Sequence, residues 1–222
     1  YNRKTSNMVG PSGEIASVFG TTLPNSNNTD LHTRGWELAV NWQDYIGKVR
    51  YNVGFNISDA RTFIDKYPNA SKSLSTYYEG QELGEIWGYV THGIAKSQEE
   101  MDSWLANNKP SWGSGWGEGD IMYEDLNGDK VINTGSNTLS DPGDRKVIGN
   151  STPRYNFGVN MGLSWNGFDF SMFWQGVAKR DLWLTGNMFW GLNGGEWQST
   201  GFKEHLDYYR PENTTSVFGP NT

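Results

Sequence analysis

The chain has 222 residues, of which 14% are aromatic and 19% are charged, and it contains no cysteine. The lack of cysteine excludes a disulfide scaffold, a cysteine-ligated zinc site and a thiol nucleophile. The formal charge of −7 argues against nucleic acid as a partner, because there is no excess of Lys and Arg to displace counterions from phosphates.

The composition leaves a membrane location open. No run of about 18 apolar residues is present, so a transmembrane helix is excluded, and the mean hydropathy is −0.69. A transmembrane β-barrel, however, keeps only alternate residues apolar, so this low hydropathy does not exclude one. The charged fraction of 19% lies below the ~25% of ordinary soluble domains.

Strict alternation of apolar and polar residues predicts four strands. These cover about 36–43, 49–59, 155–165 and 168–176. Phe173 is the one residue that breaks the alternation. The positions predicted to form the apolar face include Leu38, Val40, Val53, Phe55, Val159, Met161, Phe170 and Met172, and the opposite face is predicted to carry Asn41, Asn52, Asn56, Asn156 and Asn160.

The predicted strands are joined by connections of two lengths. A short turn at 44–48 joins the first pair, and Asn166-Gly167 joins the second pair, since both residues tolerate the positive φ of a tight hairpin turn. The long loops cover about 61–152 and 179–222. Short connections at one end and long loops at the other are typical of outer-membrane barrels.

Half of a soluble β-sandwich, such as a carbohydrate-binding module, is the alternative interpretation of the same alternation. Two features favour the barrel. The polar face is rich in Gly, Asn and Ser rather than Lys and Glu, and aromatic residues such as Trp36, Trp42, Trp165 and Trp174 lie toward the strand ends, as in an interfacial girdle. The sequence therefore predicts an all-β, antiparallel segment of a transmembrane barrel.

The long loops contain two predicted short helices. Ser97 and Glu100 have the spacing of a capping box, and Met101, Trp104 and Leu105 follow at helical spacing. The segment 201–210 is a second helix candidate, which Pro211 would end.

The segment 125–133 alternates oxygen-bearing side chains as a calcium loop does. Lys130 stands where such a loop has glycine, and Ser136 stands where it has glutamate, so Asp141 or Asp144 would have to complete the site. A turn held by side-chain-to-backbone hydrogen bonds is the other open interpretation. The calcium ligands would be Asp125, Asn127, Asp129, the carbonyl of Val131, and Asn133.

Tryptophans in the loops are candidate contacts for a substrate or a partner protein, although loops of this size also need small cores of their own. An acidic cluster, made of Glu118, Asp120, Glu124 and Asp125, resembles the carboxylates of a glycan hydrolase. No Ser, His or carboxylate has a convincing catalytic partner, so we expect no enzymatic activity. The candidate contact residues are Trp104, Trp112, Trp116, Trp183 and Trp190.

Four segments together resemble the SusC/RagA family of TonB-dependent outer-membrane transporters. They read GDIMYEDLNGD at 119–129, DRKVIGN at 144–150, PRYNFG at 153–158 and GFDFSMFWQG at 167–176. Other, shorter segments also resemble this family, so that the resemblance covers essentially the whole chain. Lys130 departs from the family, which usually has glycine at that position.

The resemblance implies a large outer-membrane protein of Bacteroidota in which a plug domain lies inside a barrel of about 22 strands. This chain would be a C-terminal part of that barrel, without the plug domain and the final strands. The family imports oligosaccharides or peptides with a SusD-like surface lipoprotein as its cap and TonB as its energy source. The long loops would then lie outside the cell, near the cap or the substrate, and the wall would contact outer-membrane lipid.

Overall fold

The computed structural model describes residues 1–10, 12, 20, 24–185, 201–210, 212 and 213 of the chain. The chain divides into two compact units. Unit 1 contains Tyr1–Glu85 and Gly149–Leu182, and unit 2 contains Ile86–Ile148 and Trp183–Thr222.

Unit 1 is built on a five-stranded antiparallel sheet. Its strands lie in the order β1 (Asn2–Gly10), β2 (Ser26–Ile46), β3 (Val49–Lys66), β10 (Arg154–Trp165) and β11 (Phe168–Lys179). A long stretch of chain therefore separates the neighbours β3 and β10. An all-β, antiparallel fold was predicted and is confirmed, and the described strands do not close into a barrel.

Tight turns join β2 to β3 and β10 to β11 at the same end of the sheet. Ile46 lies opposite Val49, and Trp165 lies opposite Phe168, so only two residues separate the strands of each hairpin. In the second turn the φ angles of Asn166 and Gly167 are 47° and 88°. Positive φ at both positions matches the twist of the flanking strands, which explains why Asn-Gly occurs here.

Three two-stranded sheets lie in the rest of the described chain. Their strands are short because the sequence between them is rich in glycine and Asx turns rather than in alternating residues. A 3₁₀ helix also covers Lys203–Leu206, within the segment 201–210 that was predicted to be helical. The pairs are β4 (Glu85–Tyr89) with β9 (Arg145–Asn150), β5 (Thr91–Ile94) with β7 (Ile121–Tyr123), and β6 (Lys109–Pro110) with β8 (Val131–Ile132).

Helix α1 (Gln98–Leu105) begins where the sequence predicts it. The Ser97 hydroxyl accepts the backbone N–H of Glu100 at 3.2 Å, which satisfies one of the free donors at the helix start. The apolar side of the helix packs through Met101 on Ala95 and Met122. This small cluster is the apolar core of unit 2 around which the loop residues pack.

The sheet extends beyond the predicted strands. β2 begins at Ser26 and β3 continues to Lys66, and β1 was not predicted. These extensions carry polar residues at most positions, and in their interior the Thr33 and Thr62 hydroxyls hydrogen-bond across the strands at 2.8 Å. Backbone pairing with a neighbouring strand sets the length of these strands, and such pairing leaves little alternation in the sequence.

Candidate functional site

One face of the sheet is apolar over four adjacent strands. Val40 lies opposite Phe55, Phe55 opposite Val159, and Val159 opposite Trp174, and residues directly opposite each other share a face. The face is not covered, since Val40 is 53% exposed and Trp174 is 64% exposed. The register places all the positions predicted for the apolar face on this side.

The other face is mainly polar. Its central row consists of Asn41, Gly54, Asn160 and Phe173, paired in that order across the strands. A Cβ atom on Gly54 would lie 2.2 Å from the Asn160 Nδ2 and 2.6 Å from the Asn41 Oδ1, so the two amide side chains occupy the space above this glycine. Phe173, which broke the alternation, is an apolar residue on this face and is 61% exposed, and Val177, which lies opposite Asn156, is another.

Aromatic side chains form a cluster in unit 2. The Trp112 ring lies 4.8 Å from Tyr89 and 5.6 Å from Tyr123, between ring centroids. The Trp104 indole N–H donates to the Tyr123 carbonyl at 2.7 Å, and its ring stacks on His92 at 4.7 Å. Burial raises the pKa of the Tyr123 hydroxyl. These contacts give Trp104 and Trp112 a packing role within the loop.

The other candidate tryptophans lie in different surroundings. Trp116 packs against the apolar core of unit 2, with its ring centroid 6.2 Å from that of Tyr123. Trp183 is 58% exposed, so it offers more free ring surface than Trp116. Trp190 lies outside the described residues.

The start of the segment 125–133 is a tight turn around one carboxylate. Asp125 accepts the backbone N–H of Gly128 through Oδ1 and that of Lys130 through Oδ2, each at 2.7 Å. Burial raises the pKa of the Asp125 carboxyl, but these N–H bonds outweigh it and hold that pKa below its ordinary value. Lys130 has a φ of 68°, the left-handed conformation that glycine usually adopts at this position.

The other predicted calcium ligands also bond to nearby backbone. This arrangement is an Asx-turn network, and the cation remains a prediction. Among residues 1–10, 24–185 and the other described positions, no group of three or more His, Asp or Glu is arranged to hold a metal ion. The bonds run from Asp129 N–H to Asn127 Oδ1 at 2.9 Å, from Val131 N–H to Asp129 Oδ1 at 2.7 Å, and from Gly135 N–H to Asn133 Oδ1 at 2.6 Å.

Asp144, which the sequence offered together with Asp141 only to complete a calcium site, has a structural role that its spacing did not reveal. Its side chain is fully buried, with 0% exposure, beneath the turn. Oδ1 accepts the Leu126 N–H at 2.9 Å, and Oδ2 accepts the Asn133 N–H at 2.8 Å. Asp144 therefore links the two ends of the segment 125–133 from below.

The carboxylates of the acidic cluster are held by separate partners. Glu118 Oε1 accepts the Tyr209 hydroxyl at 3.5 Å, and Glu124 Oε1 lies 3.9 Å from His92 Nδ1. Asp120 accepts a backbone N–H of its own loop at 2.8 Å. A hydrolase would need two carboxylates facing one reacting bond, and these contacts do not create that arrangement.

No α-helix in the described part of the chain is long and apolar enough to cross a membrane. No protein-family model matches the chain.

The chain is similar in sequence to curated receptors. It is 24% identical over 198 residues to "TonB-dependent receptor P3" of Formosa agariphila, a match that covers 82% of this chain and 18% of that protein. It is 32% identical over 138 residues to "TonB-dependent receptor P26" of the same organism, covering 62% of this chain and 12% of that protein. The chain thus spans less than a fifth of the length of these relatives.

A third curated relative has an enzyme name. It is "3-O-beta-L-arabinopyranosyl-alpha-L-arabinofuranosidase" of Bifidobacterium pseudocatenulatum, 29% identical over 118 residues, which cover 50% of this chain and 11% of that protein.

The fold is that of part of a solved transporter. The structure of the RagAB peptide transporter superposes with a TM-score of 0.64 at 16% identity, covering 98% of this chain and 23% of that chain. The RagAB peptide importer in its "open-open" state superposes with a TM-score of 0.63 at 18% identity, with coverage of 98% and 22%. Together with the receptor matches, this confirms the predicted resemblance to TonB-dependent receptors.

Proposed function

We propose that this homologue of TonB-dependent receptors forms part of the outer-membrane barrel of a nutrient importer and catalyses no reaction. The importer would take up an oligosaccharide or a peptide. A SusD-like surface lipoprotein would cap it, and TonB would act on the plug region of the same receptor.

The observation that carries this proposal is the uncovered apolar face of the sheet. In water, exposing Val40, Phe55, Phe170 and their neighbours together would be costly, because soluble monomers rarely expose large contiguous apolar patches. Contact with lipid removes that cost. The opposite face, with its asparagines and glycines, suits a water-filled interior.

The soluble sandwich is the competing interpretation of the same sheet. In a sandwich, a second sheet would pack about 10 Å from the apolar face and bury it. Exposed fractions of 50% at Leu38 and 59% at Phe170 do not favour such a cover within the described residues. The barrel is therefore the better account of this face.

Membrane fractionation of cells that produce the receptor containing this chain tests the assignment. We expect the receptor in the outer-membrane fraction, released only by detergent and folded as a heat-modifiable barrel. Recovery of a folded receptor in the soluble fraction would contradict the proposal. So would hydrolysis of a glycan by the purified receptor that disappears in the Asp120→Ala, Glu124→Ala double variant.

Trp183 is the best-placed candidate for contact with the capping lipoprotein or the substrate, because its ring is exposed. We expect Trp183→Ala to weaken co-purification of the lipoprotein, or uptake, without changing the fold. Trp112→Ala is the matched control, since it removes a ring that packs within the loop. Unchanged association and uptake in Trp183→Ala would remove this residue from the contact surface, and a Trp190→Ala variant tests the remaining candidate.

A further inference from the structure

Cationic side chains lie on the apolar face of the sheet just beyond its last tryptophan. Arg34 and Trp36 are two residues apart in β2, so their side chains share a face. Arg61 lies directly opposite Arg34, and Lys4 lies opposite His32, the next outward position. The group stands at the end of the sheet away from the two tight turns.

Two arginines of this region, Arg61 and Arg154, are paired with carboxylates of the chain. Arg61 and Glu82 form a two-pronged ion pair, with Arg61 Nε donating to Glu82 Oε1 at 2.8 Å. Arg154 binds Asp59 in the same way, with its Nη2 donating to Asp59 Oδ2 at 2.5 Å.

Two further carboxylates of this region are also engaged, because Asp65 Oδ1 lies 2.5 Å from His32 Nδ1 and Asp30 Oδ1 accepts the Asn7 N–H at 2.8 Å. Arg34 and Lys4 are exposed, and neither has an ion-pair partner among the described residues. Within the described part of the chain, these two cations therefore have no carboxylate to pair with.

An anion from outside the chain would relieve the repulsion between these cations. Two arginines directly opposite on one face repel each other, and only Arg61 has a carboxylate of its own. Trp36, 46% exposed, marks the edge of the apolar face, and a shallow cleft runs from it between Arg34 and Arg61. In a membrane, this edge is the depth at which aromatic girdles end and lipid headgroups begin.

We propose that Arg34 and Lys4 bind the phosphate group of a membrane lipid headgroup, with Trp36 beside the top of the acyl chains. The guanidinium of Arg34 can donate two parallel N–H bonds to one phosphate, and Lys4 adds a second positive charge. The inference rests on the proposed function, because it requires the apolar face to contact lipid.

Native mass spectrometry measures whether the receptor prefers a phosphorylated lipid. The detergent-purified receptor is titrated with lipid A and, separately, with dephosphorylated lipid A. We expect the phosphorylated lipid to bind more tightly and to lose about fivefold in affinity for each cation removed in Arg34→Gln and Lys4→Gln. Arg3→Gln is the matched control. Arg3 precedes Lys4 in β1 and lies opposite Thr33, on the other face, so its loss should leave lipid binding unchanged.

Equal binding of both lipids, or unchanged affinity in the double variant, would overturn the inference. Displacement of the lipid by inorganic phosphate at the lipid's own affinity would identify a site for the free ion instead. Loss of a co-purifying acidic protein, with lipid binding intact, would identify a protein partner. A receptor absent from the outer membrane would contradict the proposed function itself, which fractionation of the unmodified receptor shows separately.

Discussion

The sheet of unit 1 and the loops of unit 2 handle their apolar residues in opposite ways. In the sheet, Leu38 and Phe170 are 50% and 59% exposed, whereas in unit 2 Met101 and Ile132 are 1% and 0% exposed. Unit 2 thus buries apolar side chains in a core of its own, whereas the apolar face of the sheet stays uncovered. The proposed function accounts for this difference, because it places the loops in water and the sheet against lipid.

A charge on the apolar face should break the sheet more than any change in the loops. We expect Val159→Arg to destabilise the folded receptor by about 2–4 kcal/mol if the residue lies near the bilayer midplane. Asn160→Arg, one residue away on the polar face, should cost much less. Urea titration of folding into lipid vesicles measures both, and equal costs would contradict the assignment of the two faces.

Removing the buried carboxylate of the loop should loosen unit 2 and leave the sheet intact. Asp144→Ala deprives the Leu126 and Asn133 N–H groups of their acceptor, and each buried donor left unpaired costs about 1–3 kcal/mol. Hydrogen exchange should therefore rise at these two amides but not in β10. Asp141→Ala, at an exposed carboxylate, is the milder control, and equal protection in both variants would refute the role of Asp144.

The loop should also lose order in acid. The Ser136 hydroxyl and N–H donate to Asp141 at 2.5 and 2.8 Å and hold the pKa of its carboxyl below the ordinary value. A lowered pKa means that the ionised form stabilises the turn above about pH 4, and this contribution is lost as the pH falls through the lowered value.

An NMR titration of the carboxyl groups checks this pH dependence. In Ser136→Ala the pKa of Asp141 should rise toward its ordinary value, because its main hydrogen-bond donor is gone. The Asp125 carboxyl is held by different donors and should titrate as before. An Asp141 pKa that does not move would show that Ser136 is not the cause.

Calcium should have the smallest effect, because the turn is already closed by its own hydrogen bonds. If the segment 125–133 binds the ion, about 10⁻³ M calcium should slow hydrogen exchange at the Lys130 and Val131 amides. Asp129→Asn should abolish that response, and magnesium should not reproduce it. Unchanged exchange on adding calcium would leave the Asx turn as the full account of this segment.

The sequence by itself determined the faces of the central sheet. Side chains in a strand alternate between its two faces, so the face on which Phe55 or Val159 lies could be predicted without knowing the neighbouring strands. The tight turn at Asn166-Gly167 follows from the backbone preferences of these two residues. The start of helix α1 at Ser97 was predictable for the same reason, since a cap involves only adjacent residues.

The tertiary structure decided what depends on residues distant in the chain. The Arg154–Asp59 pair and the length of β1 arise from strands brought together by pairing, which leaves no local periodicity. The sequence offered Asp144 and Asp141 alike as residues that could complete a calcium site, and only the fold shows that Asp144 is buried and bonds to the segment 125–133. Burial and ion pairing are properties of the folded chain. Both depend on which residues, distant in the sequence, the fold brings next to a side chain.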